Sequence, residues 1–238
     1  VRWLIIDEFD KCLQMGFQDE MQRLIQSLPG LRRRILLSAT DAEEIPAFVS
    51  LAKAHTLSFL DNQEQTSERV TLYEVKSPVK DKLETLQQLL LGFGDSSTIV
   101  FLNYRDSVER VDGYLKNNGF VTSCFHGGLE QKEREAALYR FSNGSANVLV
   151  STDLASRGLD IPDIANIVHY HMPESEEGYV HRVGRTARWD AKGKAFFIIG
   201  PEEHIPDYVK GNVESYIPSV EQKTVPVPRM ATIYIGKG

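Results

Sequence analysis

The feature that most constrains this chain is an alternation, repeated along its length, between short apolar runs and longer amphipathic stretches. The runs are Trp3–Ile6, Ile35–Ser38, Thr71–Val75, Thr98–Leu102, Val121–Phe125, Val148–Ser151, Ile164–Tyr170 and Lys194–Ile199. Each has strand length, and several are apolar at consecutive positions, so both faces must be buried. That is the signature of a parallel sheet covered by helices, and the predicted fold class is α/β. The stretch Arg105–Asn118 shows how the helices read: Val108, Val111 and Leu115 recur at three- and four-residue steps, which lays one apolar stripe on a sheet. Asn118 and Gly119 follow as a stop signal. Lys82–Leu91 reads as a second helix, with Leu83, Leu86, Leu89 and Leu90 on one side.

At 238 residues and 42% apolar composition, the chain can bury one full α/β core and part of another. The polar segment DNQEQTSER, after Leu60, has no apolar period and predicts a linker over 61–70 between a partial unit, 1–60, and a complete one, 71–211. Ser215–Pro228 holds three prolines and predicts a second linker over 212–229. Beyond it, in 230–238, Ala231–Gly236 reads as a new strand. Val1–Ile6 begins inside a buried strand without a start methionine, so upstream residues are expected. A net charge of -6 provides no general attraction for a polyanion, and any nucleic-acid site has to be local. Cys12 and Cys124 lie far apart, in no metal-ligand or disulfide pattern, as expected of a reducing cytoplasm. The apolar runs are far too short to span a bilayer, so no membrane partner is expected.

Five segments carry residue types with chemistry. The first strand ends in Asp7-Glu8-Phe9-Asp10, placing carboxylates where α/β sheets bind ligands and where an aspartate can hold Mg²⁺ on phosphates. Ser38-Ala39-Thr40 follows the next strand with two hydroxyls around a small residue. His126-Gly127-Gly128 follows a later strand and lets main chain approach a ligand closely. Ser151–Asp160 leaves its strand into a turn rich in hydroxyls and charge, suited to backbone phosphates. Finally, His181–Arg188 sets Arg182, Arg185 and Arg188 at three-residue steps, and guanidinium forks match phosphate oxygens. Taken singly, each has an ordinary alternative: a solvated acidic loop, a helix cap, a plain turn, or a basic helix face paired with surface carboxylates.

Taken together, in this order and spacing, they resemble the DEAD-box family of superfamily 2 RNA helicases over roughly 1–201. DEFD (Asp7–Asp10) corresponds to Walker B, SAT (Ser38–Thr40) to motif III and IVFLN (Ile99–Asn103) to motif IV. HGGLEQKER (His126–Arg134) resembles an RNA-binding stretch, STDLASRGLD (Ser151–Asp160) motif V and HRVGRTAR (His181–Arg188) motif VI. The resemblance implies a RecA-like fold for both units, and an RNA-dependent ATPase that separates short duplexes when ATP and RNA close two domains on each other. By it, Asp7 holds Mg²⁺ through water and Glu8 positions or deprotonates the attacking water. Asp10, Ser38, Thr40 and His181 link the ATP state to closure, Asp160 contacts the ribose, and Arg185 and Arg188 reach the γ-phosphate. Gly128, Arg134 and Thr152 grip the RNA backbone, largely without regard to base sequence.

Phe9 stands where the family usually has alanine, so altered packing behind the acidic turn is expected with the chemistry kept. Asp41-Ala42 stands where many members have Met-Pro, and Ala187 where many have glycine. No G-x-x-x-x-G-K-[ST] loop occurs among these residues, so the chain as given is expected to bind ATP poorly. Met230–Gly236 resembles the first strand of the RRM-like domain of DbpA-type members, which implies structured, ribosomal RNA or ribosome assembly factors as partners of a monomer. A different superfamily 2 motor and a non-enzymatic RNA- or protein-binding module are the competing readings.

Overall fold

The computed structural model describes residues 1–14, 16–38, 45–49, 55–57, 69–156, 164–187 and 192–218. The chain divides into two compact units, Val1–Glu64 and Gln65–Gly238. Thr40, Asp160, Arg188, the expected linker at 61–68 and the expected strand in 230–238 lie outside the described residues.

In the first unit, strands β1 (Trp3–Ile6) and β2 (Arg33–Leu36) pair in parallel, Trp3 beside Arg33 and Ile5 beside Ile35. Helices α1 (Phe9–Gln14) and α2 (Gln18–Gln26) connect them. Phe9, Met21 and Val49 form a buried apolar cluster, with Ile6, Cys12, Leu13, Leu36 and Phe48 packed around them. The second strand starts two residues before its expected position at Ile35. Two arginines hide that start: the register is set at Arg2, whose carbonyl accepts from Arg33 N–H, and the Arg33 guanidinium lies 4.8 Å from the centre of the Trp3 ring.

The second unit holds a seven-stranded, wholly parallel sheet in the order β5-β6-β4-β7-β8-β3-β9. The strands are β3 (Val70–Lys76), β4 (Thr98–Phe101), β5 (Thr122–Phe125), β6 (Val148–Ser151), β7 (Asn166–His169), β8 (Gly193–Ile199) and β9 (Val213–Ser215). Central strands β4, β6 and β7 are buried at every position, which explains the consecutive apolar residues at their centres. Alternate side chains divide between two layers. On one face, Val100, Leu102, Val150, Val168 and Phe196 pack under α3 (Leu83–Phe93) and α4 (Arg105–Asn117). On the other, Ile99, Phe101, Leu149, Ile167 and Phe197 pack under α5 (Gln131–Ser142) and α6 (Glu176–Val183).

Local chemistry sets the helix ends. At the end of α4, Gly119 adopts φ +87°, Phe120 N–H donates to Leu115 O and Gly119 N–H to Lys116 O, a Schellman cap. Glu130 and Glu133 form a capping box at the start of α5, and the Ser175 hydroxyl accepts from Gly178 N–H at 3.1 Å at the start of α6.

The expected linker over 212–229 is corrected at its front. Val213–Ser215 pairs with β3, and the Tyr216 ring meets Tyr73 at 5.4 Å and Phe196 at 5.2 Å, edge to face. Three residues are too few to show a strand period in sequence, so only the partner strand reveals them.

Candidate functional site

The acidic turn of the first unit follows the carboxyl end of β1. Asp7 is exposed and its Oδ1 accepts from Glu8 N–H at 2.9 Å. Glu8 sits at φ +50°, in the left-handed region that a non-glycine residue rarely adopts. Its carbonyl accepts from Cys12 N–H, so the strained residue also opens α1, and Phe9 N–H is anchored on Leu37 O at 2.9 Å, beside the next strand. The whole turn is thus over-determined by its neighbours, as strained backbone at functional sites is. Asp10 is buried in the first turn of α1, and Ser38 follows β2 on the exposed side. Phe9, which stands where the family usually has alanine, is 1% exposed and clusters with Met21 and Val49. A hard, exposed carboxylate at a strand end suits Mg²⁺ held through water, and Asp7 has that character.

In the second unit the RNA candidates gather on adjacent strand ends. Gly128 lies past the end of β5, and its N–H donates to His126 Nδ1 at 3.1 Å. A Cβ on Gly128 would come within 3.1 Å of that same ring nitrogen, a tight approach that glycine avoids. His126 is buried, and its Nε2 faces the Glu109 carboxylate at 3.3 Å without making a hydrogen bond. Thr152 follows the neighbouring strand β6, and its N–H donates to Phe125 O at 3.3 Å, while the Ser151 hydroxyl donates to the same carbonyl at 2.8 Å. The Gly128 and Thr152 loops are therefore tied together through Phe125. Arg134 lies in α5, which starts just after the Gly128 turn.

The arginine run behaves differently from its sequence pattern. Arg182 is fully buried, and its guanidinium donates to both carboxylate oxygens of Asp153, to His171 O at 2.8 Å and to Asn103 Oδ1 at 2.8 Å. It also lies 5.2 Å from the centre of the Phe101 ring. Of the three arginines read as phosphate ligands by type, this one is committed to joining β4, β6, β7 and α6, so Arg182 belongs neither to a phosphate site nor to a basic helix face paired with surface carboxylates. Arg185 follows one turn later. Its N–H donates to Arg182 O, and its carbonyl accepts from Ile164 N–H on the amino-terminal approach to β7, whereas Gly128 and Thr152 follow carboxyl ends. The next residue, Thr186, donates its hydroxyl to Ile164 O, and a Cβ on Gly193 would sit 2.1 Å from that hydroxyl. Gly193 thus leaves the room in which the end of the arginine segment is seated. His181 lies 3.5 Å from Glu177, one turn before it on α6.

A buried lysine escaped sequence reading altogether. Lys82, at the start of α3, donates to Ile198 O at 3.1 Å and pairs with Glu203 at 2.6 Å. Burial pulls its pKa below the usual lysine value, and the glutamate opposes that shift. Glu203 also accepts from Gly200 N–H at 2.8 Å, so the pair pins the loop after β8.

Comparison with known proteins agrees with this arrangement. Residues 1–48 match the model of the DEAD/DEAH box helicase family, and residues 81–190 match that of the helicase conserved C-terminal domain. The chain belongs to the DEAD-box helicases. It is 36% identical over 200 residues to the ATP-dependent RNA helicase DbpA of Escherichia coli, covering 84% of this chain and 44% of that one. It is 34% identical over 212 residues to the ATP-dependent RNA helicase DBP3 of Eremothecium gossypii, covering 85% and 40% respectively. The chain thus spans less than half the length of these relatives. Among solved structures, Saccharomyces cerevisiae Dbp5 bound to RNA and ADP BeF3 superposes with a TM-score of 0.71 at 29% identity, over 85% of this chain and 54% of that one. Escherichia coli SrmB, bound to regulator of ribonuclease activity A, gives 0.57 at 29% identity over 62% and 91%. The seven-stranded sheet is accordingly RecA-like. Within the family, the departure at Ala187 has a structural meaning: this residue stands at φ +55°, a conformation that glycine adopts freely and alanine does not.

Proposed function

We propose that this chain is part of an ATP-dependent RNA helicase that remodels RNA duplexes by ATP-driven closure of two RecA-like units. The observation that carries the RNA half is the tie through Phe125: two loops read from sequence as backbone grips are held on neighbouring strand ends, Gly128 by His126 and Thr152 by Phe125 O. Exposed main chain and hydroxyls of this kind meet phosphate and sugar without reading bases. The hydrolysis half is supported by the acidic turn. Glu8, whose strained backbone is held beside the anchored Phe9 amide, is assigned to orient or deprotonate a water, and Asp7 is assigned to hold Mg²⁺ through water. When bound, the ion neutralises developing charge on the transferred phosphoryl group. Arg185 and Arg188 are assigned to the γ-phosphate and Asp160 to the ribose. Asp10, Ser38, Thr40 and His181 are assigned to coupling between the units, and Arg134 joins the RNA grip. Likeness to the ATP-dependent rRNA helicase RRP3 of Yarrowia lipolytica, 32% identical over 200 residues, supports ribosomal RNA as a target class.

The test is RNA-stimulated ATP hydrolysis by the full-length protein. Glu8→Gln should lower turnover by roughly 10²- to 10⁴-fold, the usual worth of a positioned acid or base, and Arg188→Ala by about 10³-fold or more. Turnover unchanged by Arg188→Ala would sink the arginine's role. RNA binding without any hydrolysis in the wild type would leave a binding module.

A further inference from the structure

The carboxyl-end rim holds an aromatic side chain to which the motifs assign no role. Tyr104 is the third residue after β4 and the N-cap of α4, in extended backbone at φ -125°, ψ 140°, and its carbonyl accepts from Val108 N–H to open the helix. Its ring is 62% exposed, yet it is not loose: it rests edge-on against the His171 ring at 5.9 Å, and Asn103 N–H holds His171 through Nδ1 at 3.2 Å. Sheet order puts this residue beside the RNA candidates, since β5, β6 and β4 are consecutive neighbours and Gly128, Thr152 and Tyr104 follow their respective ends. Arg105 bridges the gap. Its Cδ lies 3.6 Å from where a Gly128 Cβ would stand, and its side chain is 69% exposed.

A solvent-facing ring that is braced from behind, set beside a basic side chain and on the same rim as two backbone-gripping loops, has the composition of a nucleic-acid stacking platform. We infer that Tyr104 stacks on a base of the bound single strand, adding a base contact to an otherwise backbone-directed grip; this rests on the RNA reading above. The contact is non-ionic and every base has a π-face, so it adds affinity without sequence specificity. Tyr139, equally solvent-facing at 71% but in the later part of α5, away from the strand ends, has none of these neighbours and serves as the control.

The experiment measures equilibrium binding of a short labelled oligouridylate to the full-length protein with ADP and beryllium fluoride, and repeats it with an oligomer of the same length carrying abasic riboses. Tyr104→Ala should weaken oligouridylate binding roughly 5- to 100-fold, the usual worth of one stacked base. It should leave the salt dependence unchanged, because no phosphate contact is lost. Tyr104→Phe and Tyr139→Ala should bind within about two-fold of wild type, and on the abasic oligomer Tyr104→Ala should cost nothing. Wild-type affinity in Tyr104→Ala, loss of affinity in Tyr104→Phe, or an equal loss on the abasic oligomer overturns the stacking role while leaving RNA binding in place. A wild-type protein that binds neither oligomer overturns the RNA reading, and this inference with it.

Discussion

Arg182 holds both carboxylate oxygens of Asp153 in a guanidinium fork, with the arginine wholly inside the protein and the aspartate at its edge. Neighbouring residues of this pair carry the proposed chemistry: Thr152 precedes Asp153, and Arg185 follows Arg182 by one turn.

Removing the carboxylate strands a buried guanidinium. Asp153→Ala should therefore destabilise the second unit by about 3 kcal/mol, and Arg182→Met by less, because the carboxylate it leaves behind is partly solvated. Urea unfolding of the single and double variants checks this. The double variant should be more stable than the sum of the single losses predicts, since it leaves no stranded charge.

At Ala187 the expected change is a gain. Ala187→Gly relieves a left-handed backbone strain worth about 1–3 kcal/mol but loosens the unfolded chain, so a net stabilisation of about 0.5–1 kcal/mol is expected. Ala187→Val should move the melting temperature the other way.

In the first unit, Phe9→Ala restores the residue usual in the family and empties the space between Met21 and Val49. A loss of about 3–4 kcal/mol is expected, the usual cost of deleting a buried phenyl group. Proteolysis of the first unit relative to the second would report it.

Acid should destabilise the second unit. His169 is stacked on Phe197 with ring centres 4.6 Å apart, and among the described residues neither of its ring nitrogens has a hydrogen-bond partner. Burial, aided by Arg182, holds its pKa well below the usual histidine value, and burial brings that of His171 to about 4. Both pKa values rise on unfolding, so between about 6.5 and 4 the unfolded chain binds more protons. Their contribution to stability is complete above pH 6.5 and declines as the pH falls below it. His169→Phe should flatten the dependence of the urea midpoint between pH 7 and 5.

Much of this molecule was legible in its sequence. Val148–Ser151 was placed to the residue because a strand buried on both faces must be apolar throughout, and Asn118-Gly119 marked a helix end because only a left-handed residue closes that cap. What stayed hidden depended on distant partners. Arg182 reads locally as one more phosphate-binding cation, and only Asn103, 79 positions away, and Asp153, 29 away, reveal it as an internal strut. Lys82 and Glu203 are separated by 121 positions and leave no local trace. Arg33 and Arg34 disguised a strand that the Arg2 backbone sets in register.

The position of β3 has a consequence for synthesis. Among the described residues it is the first strand of its unit to leave the ribosome, but its two neighbours are the last two, β8 and β9, with Val70 beside Gly193 and Leu72 beside Val213. No hairpin can shelter it while the chain grows, and its edges stay open until translation passes Ser215. Non-local parallel pairing of this kind is slow and exposed to aggregation, so this sheet should close only after Ser215 has emerged.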